Sequence, residues 1–173
     1  VEAHGSVASG GWVRVSSSVP AVKRALTLKL RDLFPEAGTT YGPPTAYPNE
    51  MAYVGDTRVE VAQPTTGGAT RSRDEVVETQ IILSCYVPGP ELNSGDEVIE
   101  ENPSYRADLA AYAMLDALED HFRNITDPTL GGIVREAMIT THEGAVRFIT
   151  DDDNSIIGRV SEITATVRTV TRI

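Results

Sequence analysis

The alternation of apolar and polar positions gives one long helical signal, with strand signals on both sides of it. In Ser104 to Phe122, SYRADLAAYAMLDALEDHF, the residues Leu109, Tyr112, Leu115, Leu118 and Phe122 recur at three- and four-residue steps. That spacing sets them on one helical stripe. Alanines at 107, 110, 111, 113 and 117 favour helix and allow close approach to a neighbour, while Asp108, Asp116, Glu119 and Asp120 take the wet side. Pro103 suits a first helical turn, and Asn124 is a stop signal. A shorter stripe, Val22, Leu26, Leu30 and Leu33, predicts a first helix with Ser18 as N-cap, Pro20 in its first turn and Pro35 as its end.

Strand patterns fill most of the remainder. Met51 to Val54 and Thr57 to Gln63 read as strands with Gly55-Asp56 as a turn between them. Glu75 to Val87 is the strongest strand. Its centre, Ile81-Ile82-Leu83, is apolar on both faces, so it is expected in the middle of the sheet. Ile133 to Thr141, Ala145 to Thr150 and Ile156 to Ile173 follow, with turns at Glu143-Gly144 and Asp151 to Asn154 and a candidate bulge at Gly158. The region 36–50 is rich in turn residues. The expected fold is α+β: a mixed or antiparallel β-sheet packed by two main α-helices, in the order helix, strands, helix, strands. Residues 19–173 form one domain in this reading, and 1–18 form a flexible arm. Trp12 and Val13 are the exception in that arm, as a docking point on a neighbouring subunit or, more simply, part of a partly ordered tail. Residues 64–74 and 91–102 are expected to be loops.

Length and composition narrow the class. The chain has 173 residues, 40% of them hydrophobic, which suits one domain with a real core. No apolar run approaches the roughly 20 residues that span a bilayer, and no charged-then-apolar leader opens the chain. A single cysteine, Cys85, excludes an internal disulfide and makes a reducing compartment the simplest setting. The formal net charge of −10 argues against general affinity for nucleic acid or anionic membrane. The charge is uneven. Lys23, Arg24, Lys29 and Arg31 sit on the first helix, whereas Glu91, Asp96, Glu97, Glu100 and Glu101 follow one another with no base among them.

The candidate chemistry is thin. Asp151 to Asp153 lack the alternating ligands, glycine and later glutamate of a calcium loop, so a solvated hairpin turn is the better reading. Cys85 and His142 could act as nucleophile and base only if their strands were neighbours, and a buried inert thiol is the commoner fate of a core cysteine. His121 suits the end of a helix, and the three histidines lack the spacing of a zinc site. Gly67-Gly68 and Gly131-Gly132 lack the context of a phosphate loop, and Arg71 and Arg73 are followed at once by Asp74 and Glu75. Asn124-Ile125-Thr126 matches a glycosylation triplet by chance composition. No catalytic, cofactor or metal site is expected from the residues.

The order of elements, with VPAVKRALTLKLRDLF, VVETQIILSCYVPG, YRADLAAYAMLDALEDHF and IIGRVSEITATVRTV, resembles the tail terminator proteins of long-tailed bacteriophages over residues 19–173. The long 64–74 loop and the acidic 91–102 loop depart from that pattern. The resemblance implies a non-enzymatic virion protein, assembled in the host cytoplasm and placed at the head-tail junction. It implies a ring, usually a hexamer, that ends tail-tube polymerisation and joins the tail to the head connector. Its partners would be itself, the tail tube protein and the connector or stopper protein. DNA would pass through an acidic pore without being bound. Lys23, Arg24, Lys29 and Arg31, with Glu91, Asp96, Glu97, Glu100 and Glu101, are the candidate subunit interface, with head-to-tail charge complementarity between them. Two alternatives remain open: another head-to-tail joining protein or minor tail component, and a small cytoplasmic enzyme or ligand-binding module with a loop-built site.

Overall fold

The computed structural model describes residues 17–45, 48–61, 74–89, 99–123 and 129–172. The element order is α1 (Val19–Leu33), β1 (Gly38–Thr40), β2 (Glu50–Val61), β3 (Asp74–Pro88), a 3-10 turn (Ile99–Glu101), α2 (Pro103–Arg123), β4 (Glu136–Thr150) and β5 (Ile156–Arg172). The strands form one mixed sheet in the order β1-β2-β3-β5-β4, antiparallel throughout except for the parallel β1–β2 pair. This is the expected α+β arrangement. The predicted arm lies outside the described residues up to 16, as do 64–73 and 91–98 of the two predicted loops.

Pairing registers fix which side chains share a face. Ala52, Leu83, Ile163 and Gly144 are partners across β2, β3, β5 and β4, and Val54, Ile81, Ala165 and His142 form a second such row. Ala52, Val54, Ile81, Leu83, Ile163 and Ala165 are all fully buried, and they join Val22, Leu26 and Leu30 of α1 and Ala111, Met114, Leu115 and Leu118 of α2 in one core. Both helices therefore lie on the same face: α1 over β1 and β2, α2 over β3, β5 and β4. Among the described residues the other face carries no helix. β3 is central, and Ile81, Ile82 and Leu83 are all buried, as their apolar character predicts.

Several local expectations are corrected. Gly55-Asp56 is a β-bulge within the continuous strand β2: the register jumps between Val54 and Thr57 and pairing with β3 resumes. Glu143-Gly144 is likewise no turn, because both residues lie inside the regular pairing of β4 with β5 from Thr141 to Ile149. A Cβ at Gly144 would lie 3.0 Å from the Tyr112 hydroxyl, a tight contact with the tip of that side chain. Gly158 stands beside the predicted irregularity, where Ile157 has no β4 partner between Ile149↔Gly158 and Thr150↔Ile156. The Tyr86 ring lies over it, within contact of any added Cβ. β1 is an extra strand inside the region read as turns. The turn at 151–154 is as expected: the Asp151 carboxylate accepts from the amides of Asp153 and Ser155 at 3.0 and 2.8 Å, and Asn154 has φ 61°.

The long helix is present nearly at its predicted bounds, but with a rotated buried face. Its buried residues are Pro103, Ala107, Ala111, Met114, Leu115 and Leu118. Leu109 and Tyr112 of the predicted stripe are exposed. Asn102 provides a cap that the sequence reading missed, its side-chain oxygen accepting from the Ser104 amide at 2.8 Å.

Candidate functional site

The thiol and imidazole raised as a catalytic pair do not meet. Cys85 pairs with Ser161 of β5 and His142 with Ala165, so β5 lies between them and they are offset by four residues, about 13 Å along the strand. Cys85 is buried with its Sγ 3.5 Å from the Met114 sulfur. Burial first, then the nearby Glu50 charge, push its pKa up to about 12, so it is held as an unreactive thiol. His142 lies 3.6 Å from the Glu119 carboxylate, edge-on to Tyr112, and Glu119 also takes Arg123 four residues on. Among the described residues no group of three His, Cys, Asp or Glu side chains is gathered closely enough to hold a metal ion. No helix there is long and apolar enough to cross a membrane.

The basic residues of α1 divide into two kinds. Arg24 and Arg31 are exposed and Lys29 is half-buried. Lys23, also half-buried, bends onto the sheet instead: its ammonium donates to the carbonyl of Gly55 at 3.0 Å and stands 5.1 Å from the centre of the Tyr41 ring. It holds the β2 bulge against α1 and is less available to a partner than the other three. Of the acidic set, Glu101 is exposed in the 3-10 turn beside α2, and Glu100 belongs to the same turn. Glu91, Asp96 and Glu97 lie outside the described residues. The structure thus puts the basic face of α1 over the β1–β2 half of the sheet and the end of the acidic run beside α2, which covers the other half.

Two charged clusters escaped the sequence reading. Glu75 faces inward and is 2% exposed. It accepts hydrogen bonds from the Ser17 hydroxyl at 2.8 Å, the Ser18 amide at 2.7 Å and the Ser18 hydroxyl. Burial pushes its pKa up, but the bonds from Ser18 and Ser17 together hold it below the usual glutamate value. The Ser18 side chain does not cap α1; the strand carboxylate does that work at the positive end of the helix. Arg159, 4% exposed, lies under the Phe148 ring at 4.6 Å and donates to the Ser104 hydroxyl at 3.2 Å. Beside it, the Ser161 hydroxyl donates to Asp108 at 2.6 Å. The alternation of β3 and β5 carried the signal in both cases, since Glu75 shares a parity with Val77 and Ile81, and Arg159 with Ile163 and Ala165.

What remains open to partners is surface. On the face without helices, an open groove of about 500 Å³ is lined by Pro48, Tyr86, Ile149 and Val160, with Arg147 and Glu162 paired at 3.5 Å. At the sheet edge every position of β4 from Thr140 to Thr150 is exposed, including Val146 and Phe148 on the helix side. Tyr105, Leu109 and Tyr112 of α2 add exposed apolar area on the same side. Compared with known proteins, the chain matches no family model and no curated relative.

Proposed function

We propose that this chain is a structural virion protein, the tail terminator of a long-tailed phage, which closes as a ring on the end of the tail tube and joins it to the head connector. The observation that carries this reading is the separation of charge over the two halves of one sheet. The wet side of α1 offers Arg24, Lys29 and Arg31, and the end of the acidic run, Glu100-Glu101, leads into α2 over the other half. A head-to-tail contact sets one such surface of a subunit against the other surface of the next. Exposed ion pairs contribute only about 0–1 kcal/mol each, so charge sets register and rejects wrong partners while apolar contacts supply most of the affinity. The net charge of −10 suits a pore that DNA crosses without sticking.

Electron microscopy of the purified chain mixed with tail tubes tests the reading. The expected result is a ring at one end of each tube. Rings found only on head connectors would make it a joining protein of the neck, and the absence of any ring on either would overturn the virion reading. The triple variant Arg24→Glu, Lys29→Glu, Arg31→Glu is expected to lower ring incorporation while the subunit stays folded. Lys23 is left alone because of its bond to Gly55. Adding Glu97→Lys, Glu100→Lys and Glu101→Lys is expected to restore incorporation. If the triple variant assembles like the parent, charge complementarity is not what sets the ring.

A further inference from the structure

We propose that the edge strand β4 is a two-fold docking surface for a second copy of this chain, with the two β4 strands pairing antiparallel about Ala145. This does not rest on the ring reading: a two-fold pair uses one surface twice, whereas a ring joins two different surfaces.

Three observations carry it. First, β4 ends the sheet and is exposed at every position from Thr140 to Thr150, so a row of main-chain donors and acceptors is open along it. Such an edge is a template for another strand. Second, the register of β4 on β5 is regular from Thr141 to Ile149 and broken at both ends, between Ile139 and Thr141 and between Ile149 and Thr150. The midpoint of that regular stretch is Ala145.

Third, the charges are self-complementary about the same midpoint. Glu143, Ala145 and Arg147 alternate onto the face without helices, as their partners Thr164, Glu162 and Val160 show. In an antiparallel pair centred on Ala145, Glu143 of each copy stands opposite Arg147 of the other, giving two cross-strand ion pairs. Arg147 already lies 3.5 Å from Glu162 of its own chain, with its side chain 68% exposed, so it would bridge two carboxylates. On the helix side the same register sets Gly144 against Val146 and His142 against Phe148. Phe148 is 64% exposed in the single chain and would be covered. Faces match only when the pairing shifts by whole steps of two residues in summed number. Centring on Gly144 or Val146 leaves both charges without an opposite number, and centring on Glu143 or Arg147 sets like charges together.

The test uses the full chain. Sedimentation is expected to show a concentration-dependent dimer. Under oxidised glutathione the variant Ala145→Cys is expected to form a disulfide-linked dimer, since directly opposite Cβ atoms lie about 4.5–5.5 Å apart. The native Cys85 is buried and stays out of that reaction. Arg147→Glu and Glu143→Arg alone set like charges opposite one another, and each is expected to weaken dimerisation about tenfold. An equimolar mixture of the two variants restores both ion pairs and is expected to dimerise like the parent. Circular dichroism confirms that each variant is folded, and the double variant E143R/R147E in one chain supplies the same comparison where a single one is not. An A145C chain that stays monomeric under oxidant, or a mixture no tighter than its components, overturns the proposal.

Discussion

Glu75 is a carboxylate at the start of the central strand, and the element it acts on is a helix 57 residues away in sequence. α1 has no acidic residue in its first turn and no cap from the Ser18 side chain, so Glu75 supplies the negative charge that its N-terminus attracts. Replacing it with glutamine keeps the shape and removes the charge. Glu75→Gln is expected to cost about 1.5–3 kcal/mol in urea unfolding at neutral pH, the range for hydrogen bonds to a charged group. The folded-state pKa is lowered, so this stabilisation is fully present above the unfolded glutamate's value of 4.5 and is lost as the pH falls through the lower folded value. Unfolding midpoints measured from pH 7 down to acid are expected to fall more steeply for the parent than for E75Q. That Glu75 points inward was legible in the sequence from the parity of β3. Its partners were not, because no local pattern links residues 17 and 18 to residue 75.

At the scale of elements, α2 shows how periodicity can find a helix and misplace its face. The residues against the sheet are Ala107, Ala111, Met114, Leu115 and Leu118. The alanines let the helix backbone approach β3 and β5, and this turns Leu109 and Tyr112 towards the rim, where the Tyr112 hydroxyl closes over Gly144. A large apolar side chain is a weaker sign of contact than a small one when the two layers lie close. Leu115, 2% exposed, is expected to lose about 2–5 kcal/mol as Leu115→Ala and not to fold as Leu115→Asp. Leu109, 58% exposed, is expected to tolerate Leu109→Asp within about 0.5 kcal/mol. Chemical denaturation of the three variants checks the rotated face. The two false turns have one cause. Gly55-Asp56 and Glu143-Gly144 carry turn chemistry, but β3 and β5 run long and unbroken beside them, and the tertiary pairing overrides the local signal.

At the scale of the molecule, the layer plan was legible because it rests on long amphipathic segments, whereas the surfaces were only half so. Charge segregation could be read from Lys23 to Arg31 and from Glu91 to Glu101, yet the structure takes Lys23 inward to Gly55. The open edge of β4 had no sequence signature, since edge position follows from strand order and not from composition. One contact links the two ends of the described chain: the Ser18 and Thr171 hydroxyls are 2.9 Å apart, both beside Glu75. Residues 18 and 171 are therefore neighbours in the fold. A circular permutant that joins residue 172 to residue 17 through a linker of about five glycine and serine residues, and opens between Asp152 and Asp153, keeps every strand neighbour. It is expected to fold with the parent's circular dichroism spectrum and a single unfolding transition.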